Sequence, residues 1–316
     1  MVLVMVVVGG LTRLTESGLS ITEWKPITGI IPPLSEADWA HEFELYKQIP
    51  QYQIVNNGMS LDEFKFIFFW EWFHRFWGRL IGFAFAIPFV VFLVQRRFTW
   101  NLAAPLGVLF VLGGFLGFLG WWIVTSGLSE LTSVSQYRLS AHLTAALLLF
   151  IALIWVSRRL TPGRTVADAS ERPAAIILLL LVILQIAAGG FVAGLDAGMG
   201  YNTWPLMDGA LVPNGLGVMD PWWKNLFENA LTVQFVHRTI AYVLALYAGA
   251  LYLWRRGQDG WIARIALIVL LQVVLGIGTL LSFVSLPVAL GHQALAFMLA
   301  GAIVAWLADM RTRSLA

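Results

Sequence analysis

The sequence predicts an all-α integral membrane protein of eight transmembrane helices, arranged as two pseudo-symmetric four-helix bundles. Three observations lead there. Of 316 residues, 59% are hydrophobic and only 12% charged, and the mean hydropathy is +0.77; a soluble domain carries about 25% charged residues. Apolar runs of about 20 residues recur along the chain, the length that crosses a bilayer. A pattern of glycines, histidines and arginines in the first half also returns in the second. A soluble protein of this composition would expose too much apolar surface to stay dispersed.

The apolar segments fall near 1–12, 66–94, 101–123, 138–157, 173–195, 229–254, 261–283 and 286–308. The first, opening at Met1, is too short to cross about 30 Å of hydrocarbon, so residues upstream are expected to complete it. No cleavable signal or transit peptide is read there. The second segment ends at Arg96-Arg97 and the fourth at Arg158-Arg159, where charge stops an apolar run. The sixth ends in the same way at Arg255-Arg256. The seventh and eighth are joined by a short turn around Ser285–Pro287. Two long polar connections remain, 13–65 and 196–228.

Arginines orient the spans. Arg96, Arg97, Arg158, Arg159, Arg164, Arg172, Arg255, Arg256, Arg264, Arg311 and Arg313 fall on one side. Of the 18 acidic residues only Asp168, Glu171, Asp259 and Asp309 share it. That side is expected to be cytoplasmic, with both long connections outside.

The repeat divides the chain at 160/161. Gly9-Gly10 leads to Gly18 and Trp24-Lys25-Pro26, as Gly189-Gly190 leads to Gly198 and Trp204-Pro205. Phe73-His74-Arg75 corresponds to Val236-His237-Arg238. Gly113-Gly114-Phe115-Leu116-Gly117 corresponds to Gly276-Ile277-Gly278, and Ser140-Ala141-His142 to Leu290-Gly291-His292. Each half, 1–160 and 161–316, has an even number of spans, so both point the same way and their pseudo-twofold should run along the membrane normal.

His74, His142, His237 and His292 lie on the four even-numbered spans, about four to ten residues past each start, which places them at one depth. Such residues are costly in a bilayer and usually functional; the bland alternative is interhelical hydrogen bonding. The fifth histidine, His41, sits in the polar connection and reads as solvated. With no cysteine, thiolate sites, iron–sulfur clusters and covalent haem attachment are excluded. Two neutral imidazoles from facing helices are the usual axial ligands of a low-spin haem, and two histidines are too few for a closed zinc or copper site. The four are therefore candidate metal ligands, holding two haems. The glycines of the third and seventh spans would let a flat macrocycle approach. Trp70, Trp72, Trp77, Trp121, Trp122 and Phe76 either pack on it or form an interfacial belt.

Arg75, Arg79, Arg138 and Arg238 stand against the positive-inside trend. Either they snorkel to headgroups or they bind haem propionates, for which Arg75 and Arg238, at matching positions, are the candidates. Glu71 lies three residues before His74, on one helical face, and its counterpart is Gln234. A carboxylate in one half only points to one reactive site there and an electron-carrying haem in the other.

Taken in order, Gly9-Gly10-Leu11-Thr12-Arg13-Leu14-Thr15-Glu16-Ser17-Gly18-Leu19-Ser20, Trp24-Lys25-Pro26, Gly29, Glu71-Trp72-Phe73-His74-Arg75 and Asn202-Thr203-Trp204-Pro205-Leu206-Met207-Asp208-Gly209 resemble the haem A synthase family, in its cysteine-free branch of mitochondria and related bacteria. The resemblance covers essentially the whole chain apart from the shortened first span. It implies oxidation of the C8 methyl group of haem O to a formyl group, giving haem A for terminal cytochrome oxidases. It implies a catalytic set of Glu71, His74 and His142 around the substrate haem O, and a haem b on His237 and His292 that passes electrons. Other branches carry cysteine pairs in the outer loops, so no thiol relay operates here.

Three readings stay open from the residues alone. They are this oxidoreductase, a non-catalytic dihaem b-type membrane cytochrome in electron transfer, and a transporter using the repeat for alternating access. The expected partners are haem O, a haem O synthase, an electron donor, the lipid bilayer and further copies of the chain in a homo-oligomer; no nucleic acid is expected. The expected location is the bacterial plasma membrane, with the mitochondrial inner membrane as the alternative.

Overall fold

In the computed structural model, which describes residues 1–129, 131–160, 168–255 and 260–310, every predicted apolar segment is a helix. α1 is Val2–Leu14, α2 Glu36–Tyr46, α3 Leu61–Val94, α4 Trp100–Val124 and α5 Gln136–Leu160. α6 is Arg172–Gly194, α7 the single turn Asn225–Glu228, α8 Ala230–Trp254, α9 Gly260–Leu281 and α10 Leu286–Asp309. Seven of them are long and apolar enough to cross a membrane: α3, α4, α5, α6, α8, α9 and α10. The chain is a multi-pass membrane protein. The eighth predicted span, α1, is apolar but has 13 residues. Arg164, Arg256, Asp259, Arg311 and Arg313, used above for orientation, lie outside the described residues.

The helix ends follow local chemistry. α3 starts five residues earlier than hydropathy alone suggests, because Ser60 accepts from Glu63 N–H while Glu63 accepts from Ser60 N–H, a capping box. At 1.5 Å per residue its 34 residues run about 51 Å, well beyond the hydrocarbon thickness. Asn229 caps α8 through Leu231 N–H, and prolines sit in the first turns of α6 and α10, where their missing N–H costs nothing.

By packing, the chain forms two compact units, Met1–His142 and Leu143–Ala316. In the first, α3 is the spine, with α1, α2 and α4 against it. The connection after α1 is not a solvated tether. Leu19, Ile21, Phe43, Tyr46 and Ile49 bury themselves on Phe64, Ile67 and Phe68 of α3's first turns. In the second unit α6 packs on α8, α8 on α9, α9 on α10 and α10 on α6, a closed ring of contacts. Its long connection is tied down by Asn229, which donates to Gly215 O, and by Thr232, which donates to Leu216 O.

Large apolar side chains such as Phe83, Ile87, Leu180 and Leu246 stay exposed, as expected of surfaces meant for lipid rather than water.

Candidate functional site

Each intramembrane histidine faces a glycine of the apolar helix before it. A Cβ built on Gly9 of α1 would lie 2.8 Å from Cε1 of His74 on α3, and one on Gly120 of α4 would lie 3.6 Å from Cε1 of His142 on α5. In the second unit the distances are 3.2 Å from Gly189 of α6 to His237 on α8, and 2.9 Å from Gly276 of α9 to His292 on α10. Real Cβ atoms do not approach below 3.0 Å, so at Gly9 and Gly276 any side chain would push the imidazole aside. The rings are half-buried, and Nδ1 of His74, His142 and His292 is buried without a hydrogen-bond partner. His237 instead meets the Gln185 amide, whose Nε2 lies 3.2 Å from Nδ1 and 3.1 Å from Nε2 of the ring. His74 and His142 are within Coulombic reach of each other, as are His237 and His292. The structure thus brings the four together as two pairs. His41 is exposed on α2. His74 stands well past the start of α3, unlike the other three in their helices, because α3 begins early at its Ser60 cap.

The pairs of residues at Glu71/Arg75 and Gln234/Arg238 reproduce one design with different polarity. Glu71, 3% exposed, accepts from Ser20 Oγ at 2.8 Å and Ile21 N at 2.7 Å through Oε2, and from Arg75 Nη2 at 2.5 Å through Oε1. Arg75 also donates to Ile21 O and Glu23 O and lies over the Trp24 ring. In the second unit Gln234 donates to Ala197 O at 2.6 Å and accepts from Arg238 Nη2 at 2.9 Å, while Arg238 donates to Tyr201 O. In each half a helix-borne pair four residues apart clamps the segment that follows the glycine helix. The carboxylate grips N–H and O–H donors; the amide grips a carbonyl.

Arg79 donates to Lys25 O and Pro26 O, and Arg138 to Trp122 O and Thr125 Oγ1. Arg79 keeps one buried nitrogen, Nη1, without a partner, and Arg238 keeps two, Nε and Nη1. The aromatic candidates serve mostly local structure. Trp72 donates to Ile30 O and stacks on Phe76, Trp77 donates to Met1 O, and Trp122 lies beneath Arg138. Of the glycines expected to admit a flat group, Gly276 of α9 faces His292. Gly113, Gly114 and Gly117 face nothing within 4 Å, whereas Gly120, one turn on, faces a histidine. Gly9, Gly189, Ser20 and Gln185 also gain roles that spacing alone did not show.

Among the described residues no group of three or more histidine or carboxylate side chains could hold a bare metal ion. Paired imidazoles, each against a glycine and three of the four with an unpartnered Nδ1, suit a group that brings its own equatorial ligands, as haem does. The class is therefore a multi-pass helical membrane protein with two intramembrane histidine pairs.

Known sequences make the class specific. The profile of a family described as cytochrome oxidase assembly protein matches residues 1–304. The chain belongs to that family. It is 56% identical over 300 residues to the haem A synthase of Azorhizobium caulinodans, covering 93% of this chain and 86% of that one. It is 53% identical over 311 residues to the haem A synthase of Parvibaculum lavamentivorans, covering 96% and 89%. The haem A synthase of Agrobacterium fabrum is 53% identical over 313 residues, covering 95% and 85%.

Proposed function

We propose that this protein is an oxidoreductase of haem A biosynthesis, converting the C8 methyl group of haem O to a formyl group for cytochrome oxidase assembly. The likeness to haem A synthases over most of both chains carries this reading, and the two histidine pairs supply a donor set that agrees with it. A dihaem electron-transfer cytochrome would need no carboxylate beside one pair only, and the relatives are named as synthases.

The roles follow the repeat halves 1–160 and 161–316. His74 and His142 hold the substrate haem O, with the glycine faces of α1 and α4 leaving room beside the rings. Glu71, on the same face of α3 as His74, accepts a proton or stabilises positive charge that develops at the substrate edge. Ser20, Ile21 and Arg75 hold that carboxylate in place. His237 and His292 hold a resident haem b, which supplies one-electron transfer. Arg238, with two buried nitrogens to spare, is better placed to bind a propionate than Arg75, whose donors are engaged by the loop and Glu71. The arginine-rich helix ends face the cytoplasm, in a bacterial plasma membrane, and a haem O synthase delivers the substrate.

Incubating the purified protein in air with haem O and a reductant, then separating the extracted haems, tests the assignment. Haem A is the expected product. Unchanged haem O from a preparation with an intact low-spin spectrum would leave a dihaem cytochrome instead.

A further inference from the structure

The helices beside the two histidine pairs differ at positions that the repeat sets against each other. α4 carries Gly113, Gly117 and Gly120 at intervals of four and three residues, so the three share one face. Gly120 meets His142. Counted back from Gly276, which meets His292, the matching positions of α9 are Val269 and Val273. Val269 is buried and Val273 half-buried, whereas Gly113 and Gly117 are exposed, and a Cβ on either meets no described residue within 4 Å. The contrast repeats on the histidine helices. Eight residues past His74, α3 has Gly82, again with nothing within 4 Å; eight past His237, α8 has Ala245. Small residues in a membrane helix ordinarily seat another helix, and none among the described residues does so here.

α3 and α4 close on each other beyond these glycines. Phe110, three residues before Gly113, stacks on Phe85 and Phe89 with ring centroids 6.2 Å and 6.3 Å apart. Gly82 stands three residues before Phe85, on the side of α3 that meets α4. The result is a groove with glycine on both walls and a phenylalanine floor. At its other end is the His142 ring, whose Nδ1 is buried without a partner. The ten residues from Phe110 to Gly120 cover about 15 Å along the helix. The groove leads away from Arg138, which donates to Trp122 O on the far side of Gly120.

Haem O differs from haem b in one large group: an isoprenoid tail replaces a vinyl, on the side of the macrocycle opposite the propionates. A haem held at His142 with its propionates toward the arginines sends such a tail down this groove, whose length is that of an extended farnesyl chain. Haem b has no tail, and the matching face of the second unit is filled by valines. We propose that Gly82, Gly113 and Gly117 form the seat of the isoprenoid tail of haem O, and that this seat decides which haem enters the first-half site and which way round. The proposal rests on the haem assignment above. Lipid chains are as apolar as the tail, so burial alone gives little preference. The groove supplies shape and a fixed direction, and the direction decides which edge of the ring comes to Glu71.

The test titrates haem O and, separately, haem b into holoprotein purified from cells without a haem O source, reading by difference absorbance the haem bound beyond the resident one. The unaltered protein should bind haem O about tenfold or more tighter than haem b. G117L fills the groove, where an alanine methyl would still have room. It should weaken haem O about tenfold or more and leave haem b binding as it was. The low-spin spectrum of the resident haem is the folding control, and if G117L loses it, G82L on the opposite wall replaces it with the same expectations. Equal affinities of the unaltered protein for the two haems would overturn the proposal with no variant needed. So would a G117L that weakens both haems alike, or one that keeps the preference while its oligomeric state changes, which would assign the glycine face to a second copy of the chain. Haem O binding to H142A as tightly as to the unaltered protein would instead overturn the ligand assignment on which the proposal stands.

Discussion

Glu71→Gln is the sharpest perturbation of the first-half site. In the native protein both carboxylate oxygens are in use, Oε2 by Ser20 and Ile21 and Oε1 by Arg75. An amide cannot reproduce this. With its oxygen toward Ser20 and Ile21, its NH2 meets Arg75, donor against donor; turned over, its NH2 meets the Ile21 N–H. One buried donor is left unpaired either way, at about 1–3 kcal/mol. Gln234 escapes that conflict only because its NH2 finds the Ala197 carbonyl. If Glu71 also handles a proton or charge at the substrate, haem O conversion should fall about 10²-fold or more, equivalent to about 2.7 kcal/mol of barrier. Ser20→Ala separates anchoring from chemistry, since it removes one donor and leaves Ile21 N–H and Arg75. Its loss should stay within about tenfold. The assay is haem extraction after timed incubation with haem O, with the low-spin haem b spectrum as the folding control. Near-wild-type conversion by Glu71→Gln would refute the catalytic role, and equal losses in the two variants would reduce Glu71 to an anchor for the loop.

Three further outcomes are expected. His237→Ala and His292→Ala should each abolish the low-spin haem signal, because one axial imidazole leaves a weaker five-coordinate site; an unchanged spectrum in both would place that haem elsewhere. Gly276→Ala, whose Cβ would stand 2.9 Å from His292 Cε1, should perturb the haem b spectrum, and Gly9→Ala should impair conversion while sparing it. Gly113→Ala, with nothing within 4 Å, is the silent control, and three indistinguishable variants would remove the glycine–histidine contacts from the argument. Reporter fusions after Arg97, Arg159 and Arg255 should behave as cytoplasmic, and periplasmic behaviour would invert the topology.

Much of this protein is written in hydropathy and spacing. Composition alone forces the membrane, since a chain this apolar cannot be solvated. Within it, a helix is the open-ended way to satisfy every backbone group, so each apolar run had to be one. The helix bounds differ from the hydropathy reading chiefly at α3, where a capping box made of polar residues extends the helix beyond its apolar stretch. Four histidines on alternate spans, and Glu71 opposite Gln234, were legible because the repeat sets each against its counterpart.

What the sequence could not reveal depends on which atoms meet across helices. The connection 13–65 looked like a polar loop, yet Leu19, Ile21, Phe43 and Tyr46 fold onto α3, because apolar residues too scattered to form a periodic run still combine into one core. Arg75 looked free to bind an anion until the fold brought Ile21, Glu23 and Trp24 to it. Gly120, and not the Gly113–Gly117 cluster, faces a histidine because helix rotation decides which of several glycines points inward. Sequence by itself determined the solvent, the secondary structure and the identity of the candidate ligands, all of which follow from local composition. Only the tertiary structure decided which polar atoms are satisfied and which, such as Arg238 Nε and Gln185 Oε1, are buried without a partner, because satisfaction is a property of contacts between residues far apart in the chain.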